Sequence, residues 1–291
     1  MKRPVFVKTV GALARMVPWK VRVSLDGSKT LRRPLRRLIE SALPDEPAEV
    51  TVAGGALEGA KMILDLRREK YLWLGTHEVA VQKILADLLS PADVVYDVGA
   101  YVGFFTLLAG RLCPRGRCLA FEPNPASFRR LQANLELNRL ENCQAFNLAV
   151  GDREGDADFR PEKNRSPLQG HLVEPDYALG FRTPPVPPIR VRVVSLDGFV
   201  YREGHPAPGL IKVDVEGGEL KALAGMRRVL AEARPALVCE VHSHDLAREA
   251  ASFLKRAGYA VSDLEEGAAG IVTPERFTRR RYLLGRPEKT G

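Results

Sequence analysis

The stretch Asp93-Val94-Val95-Tyr96-Asp97-Val98-Gly99-Ala100-Tyr101-Val102-Gly103 decides how this chain folds. Its first six residues read as a short buried strand that Gly99 ends, and a helix is predicted over 103–112. The glycines then punctuate a turn between strand and helix, where a ligand can approach the backbone closely. The same alternation continues outward: strand 117–121, helix 125–138, strand 143–149, strands 189–194 and 210–215, helix 218–232, strand 236–241, helix 245–257, and strands near 259–264 and 280–285. Such alternation implies a largely parallel sheet covered on both faces. Ligands of these sheets sit beyond the carboxyl ends of the strands, near the point where strand order reverses. Functional residues are therefore sought at those ends.

Upstream, a helix is predicted over 76–89 with Thr76 as its N-cap, preceded by a hairpin of residues 49–53 and 61–66 around Gly54-Gly55. Residues 44–47 (Pro-Asp-Glu-Pro) read as a linker, and helices are expected near 5–17 and 30–42. The 291 residues are 45% hydrophobic and 27% charged, which excludes a disordered or fibrous chain. A run of about 18 apolar residues, the minimum for a membrane span, does not occur. Lys8 and Arg15 interrupt the only early apolar stretch, so a signal peptide is not expected and a cytoplasmic location is. Cys113, Cys118, Cys143 and Cys239 read as free thiols. The net charge of +8 is uneven: residues 1–40 carry eleven Lys/Arg against Asp26 and Glu40, a local +9, which leaves −1 for the remainder. A nearly neutral main domain argues against a nucleic-acid substrate.

At the first strand end, a dinucleotide fingerprint would need glycines where Tyr101 and Phe104 stand. Asp97 would repel a phosphate but accept hydrogen bonds from an ammonium group. A phosphate-free nucleoside bearing an amino acid suits these residues better, and S-adenosylmethionine is the common one. The second strand ends Phe121-Glu122-Pro123-Asn124. Glu122 is readable as a helix-dipole carboxylate or as an acceptor for ribose hydroxyls, and beside the Gly99–Gly103 turn the ribose reading is preferred. The third ends Ala149-Val150-Gly151-Asp152, where an adenine ring would rest on small apolar residues with a carboxylate or backbone partner.

These strand ends, with Trp73-Leu74-Gly75-Thr76-His77-Glu78, Ser195-Leu196-Asp197, Ile211-Lys212-Val213-Asp214-Val215-Glu216-Gly217-Gly218-Glu219 and Cys239-Glu240-Val241-His242, resemble the FkbM family of S-adenosylmethionine-dependent methyltransferases. The resemblance runs from about Tyr71 to His242; Tyr101 departs from it, the family usually carrying Asn there. It implies an α/β fold: a seven-stranded, mostly parallel, Rossmann-like class I methyltransferase sheet with helices on both faces and its last strand antiparallel. Residues 71–291 would form that domain, and residues 1–70 a small basic α/β extension. The cofactor set it implies is Glu78, Asp97, Gly99, Ala100, Tyr101, Gly103, Glu122, Pro123, Asn124, Ala149, Val150 and Asp152. The implied reaction is O-methylation of a hydroxyl on a small molecule, sugar or lipid-linked acceptor. A non-catalytic cofactor-binding protein and a nicotinamide-dependent oxidoreductase are the alternatives.

Methyl transfer to an alcohol needs positioning and a base. Lys212, Asp214 and Glu216 alternate along one predicted strand, and three charges on one face are costly unless paired or functional. Glu240 and His242 end the next strand, so Asp214, Glu216, Glu240 and His242 are expected to converge. His242 reads as the base or as a helix-entry histidine, and Lys212 chiefly as a buried partner of Asp214 or Asp97. A divalent metal held by Asp214 with a carboxylate or His242 is the less favoured arrangement, since no compact ligand motif is present. The basic arm reads as a solvated extension, or as a helix whose Phe6, Val10, Leu13 and Val17 meet an anionic membrane surface, the catalytic domain or a second subunit.

Overall fold

The computed structural model describes residues 43–161, 170–172, 187–264 and 281–288. The helices expected near 5–17 and 30–42 lie outside them. Among the described residues the central sheet has seven strands, in the order β12 (Tyr259–Asp263), β13 (Arg281–Pro287), β11 (Ala236–Val241), β10 (Leu210–Val213), β3 (Val94–Val98), β4 (Arg117–Phe121), β5 (Cys143–Phe146). Strands β3, β4, β5, β10 and β11 run parallel, and β13 is antiparallel to both of its neighbours. The chain starts at β3, winds out to β5 and returns to β10 on the other side of β3. The reversal of strand order therefore lies between β3 and β10, where an open α/β sheet binds its ligand.

Strict alternation along the strands divides the apolar side chains between two cores. Tyr96, Val98, Ile211, Val213, Leu237 and Cys239 face α5 (Leu196–Tyr201), α6 (Glu219–Ala224), α7 (Arg227–Glu232) and α8 (His244–Arg256). Val95, Leu210 and Val238 face the other way, against α2 (Val79–Leu88), α3 (Phe104–Leu112) and α4 (Pro125–Leu137). The residues two further along, Asp97, Lys212 and Glu240, share this second face by the period-2 rule. They form a polar seam across an otherwise apolar surface, with Asp97 directly opposite Lys212 in the β3–β10 register. Lys212 and Asp97 are 3% and 2% exposed, so their charges are answered by each other and by neighbours rather than by water.

Residues 43–70 supply part of the second core. The expected hairpin forms as β1 (Ala48–Thr51) and β2 (Lys61–Leu64), followed by α1 (Lys70–Leu74). Val50, Met62, Leu64 and Leu72 are buried in one cluster with Leu107 and Leu131 of the main body. Asn134 of α4 ties the two together, accepting from Ile63 N at 2.7 Å and donating to Val102 O at 2.8 Å.

Several expected elements differ. The strand over 143–149 divides: Asn147 turns its side chain back to donate to Glu122 O and Pro123 O, and the chain enters a second sheet. That sheet has the order β6 (Ala149–Val150), β9 (Ile189–Val194), β7 (Gly155–Pro161), β8 (Gly170–Leu172), so the strand expected at 189–194 belongs here and not to the central sheet. The helix over 218–232 breaks at Gly225-Met226, because Gly225 lies against Gly151, where a Cβ would sit 1.8 Å from the Gly151 carbonyl oxygen. Thr76 is not an N-cap; its hydroxyl reaches back to Tyr71 O, and Glu78, in the left-handed region (φ 44°), precedes α2. Strand β10 stops at Val213, two residues early, and Glu216 is left-handed (φ 45°). Asp214 and Glu216 thus reach the site from a turn, so strand alternation does not orient them. Among the described residues, no helix is long and apolar enough to cross a membrane.

Candidate active site

The turn after β3 is held by close backbone packing. Gly99 (φ 83°) lies so near the end of β10 that a Cβ would sit 1.8 Å from Asp214 O. The Gly99 and Ala100 amides both donate to Phe121 O at 3.0 Å, which ties the turn to β4. Tyr101 takes the left-handed conformation (φ 53°), uncommon for an aromatic residue. Its amide points at Glu122 and donates to Oε2 at 2.8 Å. Gly103 (φ 89°) opens α3, where a Cβ would meet Leu131 at 2.4 Å. Gly103 is therefore favoured by its left-handed backbone, and Ala100 is buried in the core.

Glu122 is buried at the end of β4. Its Oε1 accepts from Asn124 N at 2.8 Å, while Asn124 caps α4 by accepting from Ala126 N at 2.9 Å. Burial pushes the Glu122 carboxyl up to about 8, against the two backbone donors that hold it down; Asp97 and Asp214 add to the rise. Each carboxylate oxygen retains a lone pair for a further donor. Beside Glu122 opens a cleft lined by Gly99, Tyr101, Pro123, Ala149, Val150, Asp214 and Glu216. Phe159 of β7 and Leu148 complete an apolar wall that the sequence reading did not include. Asp152 departs from expectation: it does not line the cleft, its side chain is 40% exposed, and its nearest ionic partner is Arg153 at 4.0 Å. It leaves the chain just after the short β6 has turned into the second sheet.

At the opposite side of Asp214 lies the polar seam. Lys212 Nζ is 3.3 Å from Asp214 Oδ2 and 4.0 Å from Asp97 Oδ1, and it stands 4.9 Å over the Phe105 ring. Burial would lower the ammonium pKa, but Asp214, Asp97, Glu78 and Glu240 outweigh it and raise the value. Asp97 is lifted by burial, with Lys212 and a 2.6 Å hydrogen bond from Thr106 working against the rise. Lys212 thus holds both aspartates, as the buried-partner reading anticipated. Glu78 stands behind the seam, its Oε1 3.2 Å from His77 Nε2, and does not line the cleft.

His242, following β11, is enclosed by carboxylates. Its Nδ1 lies 2.6 Å from Glu219 Oε1, and its Nε2 lies 3.1 Å from Glu216 Oε2 and 3.6 Å from Glu240 Oε1. Burial lowers its pKa, but the Glu219 hydrogen bond and the charges of Glu216 and Asp214 outweigh it, so the net shift is upward. Asp214, Glu240 and His242 each offer a ligand atom, all within 4.8 Å of one another, close enough to hold a metal ion. The expected convergence of Asp214, Glu216, Glu240 and His242 is therefore present, although only Asp214 and Glu216 reach the cleft wall. Glu219, at the start of α6, is the partner that the sequence reading missed, since an acid in a first helical turn has an ordinary dipole explanation.

Comparison with known families decides what this site belongs to. The family model described as "Methyltransferase FkbM domain" matches residues 97–261, more than half of the chain. The chain belongs to the FkbM methyltransferase domain family. Among curated relatives, 31-O-demethyl-FK506 methyltransferase FkbM of Streptomyces tacrolimicus is 32% identical over 60% of this chain and 75% of that protein. Hexuronic acid methyltransferase AglP of Haloferax volcanii is 28% identical, over 57% of this chain and 63% of its own length. The 2-O-methyltransferase NoeI of Sinorhizobium fredii is also 28% identical, over 55% and 68%. A solved FkbM methyltransferase from Methylobacillus flagellatus KT is 21% identical, covering 68% of this chain and 44% of that one, with a TM-score of 0.43. The FkbM domain match opens at Asp97 and takes in both strand-end carboxylates, the seam and His242. Glu78 and the whole of residues 43–75 precede it.

Proposed function

We propose that this FkbM methyltransferase moves the methyl group of S-adenosylmethionine to a hydroxyl of a small molecule, sugar or lipid-linked acceptor. The observation that carries the reading is Glu122, a buried carboxylate with spare acceptor capacity, facing a cleft bounded by the Gly99 turn, small apolar residues and two further carboxylates. That donor and acceptor set suits a nucleoside with ribose hydroxyls and a cationic amino-acid tail. S-adenosylmethionine supplies an electrophilic methyl carbon on a sulfonium. Glu122 would accept from the ribose hydroxyls, Ala149 and Val150 would support the purine, and Asp214 would face the cationic end.

The acceptor hydroxyl must lose a proton as its oxygen bonds to carbon. Glu216 lines the cleft with His242 Nε2 at 3.1 Å behind it, and Glu219 steadies Nδ1. We assign the proton to this pair: Glu216 meets the hydroxyl and His242 stores the charge. Asp214 and Lys212 keep the cleft wall fixed. A second reading, favoured by the grouping of Asp214, Glu240 and His242, places a divalent cation there as the group that acidifies the hydroxyl. Incubation with labelled cofactor and a metabolite extract, with and without chelator, tests both. Transfer that survives the chelator supports the His242 route, whereas activity lost and then restored by magnesium supports the cation. No binding of S-adenosylhomocysteine would overturn the function itself.

The basic arm supports a further part of the reading. A +9 segment could bring the enzyme to an anionic membrane carrying such an acceptor.

A further inference from the structure

Tyr101 takes left-handed backbone (φ 53°) beside the cofactor cleft, and its side chain does not end there. The phenolic hydroxyl donates to Glu69 Oε1. Glu69 is fully buried, 32 positions upstream, between β2 and α1 and outside the family match. Arg130 of α4 fixes Glu69 with a forked pair, Nη1 to Oε1 at 3.1 Å and Nη2 to Oε2 at 2.5 Å, and its Nη2 also donates to Ile63 O at 2.7 Å. At the other end of the same residue, the Tyr101 amide donates to Glu122 Oε2. One left-handed residue therefore joins a buried ion pair between the N-terminal unit and α4 to the carboxylate that faces the ribose position.

We propose that Glu69 and Arg130 are positioning residues for the cofactor: they hold the Tyr101 hydroxyl, and so keep the Tyr101 amide aimed at Glu122. Left-handed backbone is costly for a bulky side chain and persists only where its surroundings hold it. The Glu69–Arg130 pair is that hold. The groups whose charges act on Glu122 are Asp97 of β3 and Asp214 after β10, both unfavourable to its ionised form, so the two backbone donors from Tyr101 and Asn124 are what favour the carboxylate. The inference rests on Glu122 being the ribose acceptor.

Calorimetric binding of S-adenosylhomocysteine between pH 6 and 9, with thermal melting of the unliganded protein, tests it on wild type, Tyr101→Phe, Glu69→Gln and the double variant. Tyr101→Phe should fold and bind about 3- to 10-fold more weakly, the value of one hydrogen bond. The midpoint of its pH dependence should move upward as Glu122 loses a fixed donor. Glu69→Gln should act in the same direction, and the double variant should be no weaker than the poorer single one, because both remove the same contact. Lower melting temperatures with unchanged affinity and pH midpoint would make the network structural only and overturn the proposal, while leaving the Glu122 assignment standing. Wild type that fails to bind would remove both. If Glu69→Gln does not fold, Tyr101→Phe alone carries the test.

Discussion

His242 Nδ1 and Glu219 Oε1 lie 2.6 Å apart, a histidine at a strand end joined to a fully buried carboxylate at the start of a helix. The pair fixes the ring in one orientation and favours its charged form, which is how a second group prepares a base. With its pKa raised, the resting imidazole favours its protonated form, and a proton acceptor must be neutral. Turnover should therefore climb with pH through a midpoint above 6.5. His242→Asn should lower kcat by about 10²–10⁴, the usual worth of acid–base catalysis, with S-adenosylhomocysteine affinity close to wild type. Unchanged kcat in that variant would move the base elsewhere. The same shift makes a stability statement: the His242 contribution is fully present below its unfolded pKa and is lost as pH rises through the folded one.

Glu122 has the opposite consequence for an acid. Its folded pKa of about 8 lies above the ordinary 4.5, so the unliganded protein holds a proton there that the unfolded chain has released. Between those values stability should fall with rising pH, by on the order of 1 kcal/mol per unit from this group alone. Glu122→Gln should flatten that slope in denaturant titrations. A bound ribose favours the carboxylate, so S-adenosylhomocysteine should bind with proton release below pH 8, read as a buffer-dependent enthalpy. Glu122→Ala should weaken binding by roughly 1.5–3 kcal/mol for each ribose hydrogen bond to the charged acceptor.

Lys212 is a test of the polar seam. Lys212→Met would leave Asp97 and Asp214 buried without their cation, and the loss should be about 3–5 kcal/mol in chemical denaturation at neutral pH. Partial recovery at lower pH, where the aspartates can protonate, would identify charge as the cause. A loss that does not respond to pH would point to packing against Phe105 instead.

The arm at residues 1–40 is tested by sedimentation with vesicles. Binding to anionic but not neutral vesicles, weakened by salt and abolished on deletion of those residues, is expected if each basic residue near the surface contributes about 1 kcal/mol. Equal recovery in the supernatant with both vesicle types would leave the arm without a membrane role.

Much of the fold was legible because the buried strands carry their own punctuation. Gly99 after Val98 and Glu122-Pro123 after Phe121 mark strand ends that the sheet places side by side. The seam was partly legible, since Lys212 between apolar neighbours on a central strand had to find a counter-charge. Other features depend on contacts distant in sequence. The strand read over 143–149 breaks because Asn147 finds carbonyls 24 and 25 residues away. The helix read over 218–232 breaks because Gly225 meets Gly151. Tyr101 stands in the expected cofactor set, but sequence does not say that its amide meets Glu122 while its hydroxyl meets Glu69 of the N-terminal unit. Local pattern marks where most strands and helices lie; it carries no record of which end of a residue is used.

The second sheet brings the two ends of its chain segment together. Strand β6 pairs in parallel with β9, Ala149 opposite Val193 and Val150 opposite Val194, and Gly151 N donates to Val194 O at 2.9 Å. The excursion therefore departs from the body and rejoins it at neighbouring points. Everything between those points could be exchanged between relatives as a cassette without disturbing the register of β3, β4 or β10. Phe159 travels with that cassette and still forms a wall of the cleft. Chimeras cut at residues 151 and 194 should keep their cofactor affinity within an order of magnitude while changing which acceptors they methylate.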